Sequence, residues 1–140
     1  MNQVLNKSDL IDLLGERSTQ LRKQFEELWS ERHEIPLTIS ESFILRSIKQ
    51  QTLPTISQLS KSLDISRQAA HKMIKNLEAK GLVEVVPSRT NNKAKCLQLT
   101  TIGEECHNEN ELLKLEIEES IAQKVGNESL NLLKKILESD

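Results

Sequence analysis

The sequence predicts a mainly α-helical chain with one small β-hairpin, built as a winged helix-turn-helix between long N- and C-terminal helices. Three observations carry this. Thr38-Ile39-Ser40-Glu41 and Thr55-Ile56-Ser57-Gln58 are capping boxes that open helices in quick succession. Ser66 then has the position of an N-cap and Gly81 that of a C-terminal stop, bracketing one further helix. Directly after Gly81 the hydrophobic period shortens to that of strands, with a turn-rich break between two runs. A length of 140 residues suits one domain. We expect it to span 1–140, with the winged-helix core at 38–100 and long flanking helices at 8–32 and 101–140.

The elements follow in order. From about Ser8 to Arg32, Leu14, Leu21 and Leu28 recur every seven residues, and Leu10, Leu13, Phe25 and Trp29 widen the stripe. This is an amphipathic helix with a coiled-coil-like seam, and Gly15 is a mild weak point in it. Pro36 punctuates the chain, and the box at Thr38 opens a second helix with Ile44, Leu45 and Ile48 facing inward. Gln51 to Pro54 breaks it. The box at Thr55 starts a short helix to about Leu63, and Asp64-Ile65 is a tight connection to the helix of Ser66 to about Lys80. Leu82-Val83-Glu84-Val85-Val86 is β-branched and predicts a strand, Pro87 to Asn92 is turn chemistry, and Lys95 to Leu99 returns with Leu97 and Leu99 on one face. Cys96 falls on the opposite, accessible side. Thr101-Ile102-Gly103-Glu104 caps a long helix to about Val125, with Ile102, Cys106, Leu113, Ile117 and Ile121 as inward candidates. Gly126 ends it. Asn127 opens a last helix carrying Leu130, Leu133, Ile136 and Leu137.

Composition removes several classes. The aromatic residues are one Trp and two Phe, which argues against reading bases by stacking. No apolar run approaches the ~18 residues of a membrane span. The first residues lack the apolar centre of a signal peptide, so a cytoplasmic location is expected. Two cysteines make no disulfide framework. The net charge of −2 hides an asymmetry. Residues 55–100 hold eight basic and three acidic side chains, a net of +5, whereas the remainder holds eleven and eighteen, a net of −7. A basic centre between acidic flanks suits an anionic partner.

The helix after Ser66 has the surface for one. At 100° per residue, Ala69, Ala70, Met73, Ile74 and Leu77 share one arc, while Arg67, Gln68, His71, Lys72, Lys75 and Ala79 share the other. Gln can bond adenine twice, Arg can bond guanine twice, and Lys can meet guanine or phosphate in a major groove that admits a helix. Ser66 and the first-turn amides suit a phosphate. The candidate DNA-binding residues are therefore Ser66, Arg67, Gln68, His71, Lys72 and Lys75, with Arg89 and Lys93 from the hairpin tip.

The run Thr55-Ile-Ser-Gln-Leu-Ser-Lys-Ser-Leu-Asp-Ile-Ser-Arg-Gln-Ala-Ala-His-Lys-Met-Ile-Lys-Asn-Leu-Glu-Ala-Lys-Gly81-Leu-Val resembles the DNA-binding core of the multiple antibiotic resistance regulator (MarR) family. Leu99-Thr100-Thr101-Ile102-Gly103 is similar to the Leu-Thr-x-x-Gly that follows the family's wing, and the element order also matches. The resemblance implies a homodimeric transcription regulator, a repressor by expectation, with its first and last helices at the dimer interface and its wings in the minor groove. It also implies a small phenolic or lipophilic effector, which the sequence leaves unidentified. The chain departs from the family at the wing tip. Asn91-Asn92-Lys93 stands where Asp-x-Arg or Asp-Arg-Arg is common. Lys lacks the planar fork of Arg, so Arg89 is expected to be the main wing contact and Lys93 to add nonspecific attraction. The alternative is a protein-interaction module that keeps the fold without operator binding.

Other chemistries find little support. There is no nucleophile–base pair, phosphate loop or closed metal set, so no enzyme, cofactor or metal is expected. Cys106-His107 and His33-Glu34 lack a zinc spacing. His33 is expected in a solvated loop, His107 on a helix surface, and Cys106 as inert packing.

Overall fold

The computed structural model describes residues 9–88 and 94–139. Its order is α1 (Leu10–Arg32), α2 (Ile39–Gln50), α3 (Ile56–Leu63), α4 (Arg67–Ala79), β1 (Val83–Pro87), β2 (Lys95–Leu99), α5 (Thr101–Val125) and α6 (Asn127–Glu138). Asp9 caps α1 by accepting from the Asp12 amide at 2.8 Å. Only the C-terminal half of α1 enters the core, through Phe25 and Trp29. The Trp29 indole donates to the Ile35 carbonyl at 2.7 Å, which turns the chain toward α2. His33 stacks on that indole with ring centroids 3.7 Å apart. It is thus half-buried against Trp29 rather than a freely solvated loop residue, because the turn folds back on the indole face.

Both capping boxes form as the spacing predicts, at Thr38 with Glu41 and at Thr55 with Gln58. From α1, Glu26 also accepts from the Ile39 amide at 3.1 Å and Arg22 donates to Ser40 Oγ at 3.2 Å. Asp64 ends α3 in the left-handed region (φ 53°), the tight link before Ser66. Ser66 Oγ accepts from the Ala69 amide at 3.0 Å and opens α4. Gly81, at φ 77°, reverses the chain at the other end, where a Cβ would be strained.

β1 and β2 pair antiparallel, with Val83 opposite Leu99 and Val85 opposite Leu97. The Leu97 amide donates to the Pro54 carbonyl at 2.8 Å, so the α2–α3 connection covers the second edge of β2. Cys96 is consequently buried, at 5% exposure. The expectation of an accessible thiol assumed a sheet open on one side, and here the strand is enclosed.

The cap of α5 lies one residue before the predicted Thr101. Thr100 Oγ1 accepts from the Gly103 amide at 2.9 Å and donates to the Gly81 carbonyl at 2.6 Å. The helix is thereby rotated so that Gly103 meets Leu82 while Ile102 is 48% exposed, not inward. His107 and Asn110 turn inward instead.

One apolar core joins the layers. Phe25 and Trp29 of α1 meet Ile44, Leu45 and Ile48 of α2, and the cluster continues through Leu59, Ile74, Leu77, Leu82 and Leu97 to Leu113 and Ile117 of α5. The expected apolar positions of α6 lie outside this core, as no α6 residue is buried. One ion pair locks α4 into the assembly. Lys80 Nζ, at the end of α4, donates at 2.8 Å to the Pro36 carbonyl and to both oxygens of Glu41. The same carboxylate accepts from the Thr38 amide at 3.0 Å.

Urea unfolding tests these contacts. A Cβ on Gly103 would lie 1.9 Å from the Leu82 carbonyl oxygen, so Gly103→Ala is expected to cost about 2–4 kcal/mol. Gly15→Ala, with open space around it on a helix, is expected to gain about 1 kcal/mol. Equal effects would remove the close approach of α5 to β1 from the account. Glu41→Gln, which leaves the ammonium of Lys80 unmatched, is expected to cost about 3 kcal/mol. Adding Lys80→Met should recover part of that, and strictly additive losses would contradict the clamp.

Candidate nucleic-acid interface

α4 is held on one side and bare on the other. Ala70, Ile74 and Leu77 are buried, and Met73 is half-buried. Arg67, Gln68, His71, Lys72 and Lys75 are all exposed, together with the cap Ser66. Ala69, expected on the inner arc, is exposed, since it sits at the margin where that arc meets solvent. The structure thus brings six of the sequence-chosen residues onto one surface. A shallow hollow of about 430 Å³ lies against Ser66, Gln68, Ala69, His71 and Lys72. Among the described residues, Arg67, Lys72 and Lys75 enter no ion pair, in contrast to Arg46, Lys49 and Lys80. Their charge is therefore uncompensated locally, which favours an anionic partner.

The stem of the hairpin packs against α4 through β1. Ser88 donates its amide to the Ala94 carbonyl at 3.0 Å, closing the stem below the tip. Arg89, Asn91, Asn92 and Lys93 lie outside the described residues, and so does the expected division of labour between Arg89 and Lys93. The clamp on Lys80 escaped sequence reasoning. Glu41 is legible as a capping residue, but a carboxylate that also reaches an ammonium 39 positions away has no local signature.

A second feature lies between the terminal helices and the core. A cavity of about 550 Å³ is bounded by Leu21, Phe25, Phe43, Ile117 and Ile121, with Arg46 and Lys114 at its polar side. Arg46 is tied to Glu111 through two bonds of 3.2 and 2.7 Å. Burial alone would raise the Glu111 carboxyl, but the Arg46 hydrogen bond and charge, with Lys114 and His107 adding, bring it below its ordinary value. Lys114 Nζ lies 5.1 Å from the Phe43 ring centroid and 3.7 Å from Glu111, beyond hydrogen-bonding reach. Burial, then the Arg46 charge, lower its pKa against the opposing pull of Glu111.

His107, expected at a helix surface, is buried at 8% exposure because the earlier cap turns it toward α2. Cys106 is buried as expected, and burial, then the charges of Glu105 and Glu109, raise its thiol. That keeps it protonated and poorly nucleophilic. Among the described residues, no three His, Cys, Asp or Glu side chains converge on a metal-binding geometry, and no helix is long and apolar enough to cross a membrane.

Comparison with known proteins agrees with this architecture. No curated protein matches the chain. Solved structures do. The transcriptional repressor CouR, bound to a 23-mer DNA duplex, superposes with a TM-score of 0.85 at 17% identity, over 98% of this chain and 95% of that one. The reduced form of MarR from E. coli gives 0.79 at 21% identity, over 93% and 94%. FabT of Streptococcus pneumoniae in complex with DNA gives 0.78 at 23% identity, over 91% and 90%. Residues 37–95, from the approach to α2 through the start of β2, match the MarR family. The core of this chain is thus similar to the MarR family, and the chain as a whole has the winged-helix fold of these structures.

Proposed function

We propose that the chain is a double-stranded DNA-binding transcriptional regulator that acts as a homodimer on a pseudo-palindromic operator, with repression as its mode and the cytoplasm as its place of work. The observation that carries this is the bare, locally uncompensated basic face of α4, Ser66 through Lys75, opposite an inner face locked by the core and the Lys80 clamp. A rigid helix with Gln and Arg near its N-terminus is what major-groove readout requires. The DNA complexes of CouR and FabT, which share the fold, support the reading. The protein works by binding rather than turnover. Arg67, Gln68 and His71 read base edges, Lys72 and Lys75 meet phosphate, and Ser66 with the first-turn amides holds a phosphate at the helix start. Arg89 supplies the main wing contact, with Lys93 adding attraction.

Dimerisation is supported by apolar side chains left uncovered at both ends. Leu10, Ile11, Leu13 and Leu14 of α1 and Leu132, Leu133, Ile136 and Leu137 of α6 are 42–82% exposed. An isologous contact with a second copy covers both faces together. The single domain of 1–140 then divides into a DNA-binding core at 38–100 and dimerisation flanks at 8–32 and 101–140. A small effector in the 550 Å³ cavity releases the DNA.

Fluorescence anisotropy on duplex DNA tests the face. Gln68→Ala is expected to relax sequence preference, losing roughly 1–3 kcal/mol of discrimination, while Lys75→Ala weakens all duplexes evenly and flattens the salt slope. Arg89→Ala should weaken binding more than Lys93→Ala, most clearly on A·T-rich flanks. Absence of salt-dependent duplex binding by the parent protein would replace this reading with that of an interaction module. Sedimentation at micromolar concentration should give a dimer, and a stable folded monomer would contradict the proposed interface.

A further inference from the structure

α5 faces α2 with a run of polar side chains spaced three and four apart: Glu104, His107, Asn110, Glu111 and Lys114. Two partly exposed ion pairs cross the seam at its solvent-facing rim. Lys49 Nζ lies 3.0 Å from Glu104, and Arg46 grips Glu111 through its two bonds. His107 sits between these pairs, about one helical turn from each carboxylate. Next to it Asn110 is wholly buried. Among the described residues, His107 Nδ1, both polar atoms of the Asn110 side chain and Lys114 Nζ are buried without a hydrogen-bond partner, although Lys114 pairs with Glu111 at 3.7 Å. Such groups are normally paired, and each left unpaired costs about 1–3 kcal/mol.

The charges facing His107 make its protonation consequential. From α2 they are Arg46 and Lys49; from its own helix they are Glu111 and Lys114. The charged link between α1 and α5 is further along, at Arg32 and Glu116, and that between α5 and α6 is at Lys134 and Glu118. Both carboxylates near His107 are already held by cations. An imidazolium there adds a cation beside three others, and it competes with Arg46 for Glu111. Burial first, then the cations Arg46, Lys114 and Lys49, lower the His107 pKa against the pull of Glu111.

The seam is mechanically joined to α4. Thr100, the cap of α5, bonds the Gly81 carbonyl, and Gly103 is packed on the Leu82 carbonyl. The first turn of α5 therefore cannot shift without carrying the end of α4 and the start of β1.

We propose that the α2–α5 seam at His107 is a proton-operated joint. With His107 neutral, the two ion pairs hold α5 on α2 and keep α4 in its binding pose. With His107 protonated, Glu111 leaves Arg46 for the imidazolium, the seam loosens, and duplex affinity falls. The last step rests on the DNA-binding reading of α4. The sign is set by linkage. The folded state takes up the proton less readily than the unfolded chain. Stability is therefore full above the unfolded imidazole value of about 6.5 and is lost as pH falls through the lower folded value.

The test uses the full-length chain at constant ionic strength, from about pH 7.5 to about pH 5.5. His71 lies on the binding face and would itself gain charge in acid, so the comparison is between H71Q and H71Q/H107Q. His33 is common to both. In H71Q, the urea midpoint and the affinity for a random-sequence duplex should both fall, the affinity by about fivefold or more; in H71Q/H107Q both should change little. Imidazole NMR on H71Q gives a measure independent of whether the double variant folds. His107 should titrate below the ordinary value, and the Arg46 Nε resonance should move with it. Equal acid losses in the two proteins would overturn the joint. So would an ordinary His107 titration with Arg46 unmoved, or a stability loss without an affinity loss. If H71Q and the parent bind no duplex even at the upper pH, the proposed function fails, and the urea and NMR arms still decide whether the seam is proton-operated.

Discussion

A buried carboxylate holds this fold in register. Glu41 is 6% exposed, and a charge so placed is tolerable only with its partners in position. It takes the ammonium of Lys80 on both oxygens and the Thr38 amide on one. One side chain thereby starts α2 and fixes the end of α4. α1 in turn grips the start of α2 through Glu26 and Arg22. The attitude of α4 is accordingly set by a polar chain running from α1 through α2, in addition to its own apolar stripe. Removing either member of the Lys80–Glu41 pair leaves the other desolvated, so the clamp is all-or-none in character.

A rigidly mounted helix can afford an undecorated outer face. The cations at Arg67, Lys72 and Lys75 have no carboxylate within the described chain to neutralise them, while elsewhere the molecule pairs its charges freely across helices, as at Lys49–Glu104, Lys134–Glu118 and Arg32–Glu116. The net charge of −2 therefore describes no part of the surface well. Acidic flanks and a basic middle orient the chain toward a polyanion and away from its own ends.

The same core leaves two apolar ends exposed and one polar seam partly enclosed. The long helices contribute only part of their length to the core: Phe25 and Trp29 on α1, and Leu113 and Ile117 on α5. Beyond those points Leu14 and Leu137 face outward around the cavity. The seam between α2 and α5 has the opposite character, with unpaired polar atoms enclosed beside two ion pairs. Uncovered apolar ends support the proposed second copy, whereas enclosed polar groups support the proposed joint.

Local chemistry was legible in the sequence. The boxes at Thr38 and Thr55, the Ser66 cap, the Gly81 stop and the hairpin arise from contacts within three or four residues, or from a conformation only Gly accepts readily, so their spacing alone determined them. The outer face of α4 was legible for the same reason, since helical periodicity separates Ile74 and Leu77 from Gln68 and Lys72. Tertiary structure decided what depends on distant partners. Periodicity placed Ile102 inside and His107 outside. The Thr100 bond to Gly81 and the seat of Gly103 on Leu82 rotated α5 and reversed both. Cys96 was closed in by Pro54, 42 residues earlier, and Lys80 found Glu41 across 39. A window of a few residues contains no information on such pairings, because the energy that selects them, burial of one element's surface by another, exists only once the chain has folded.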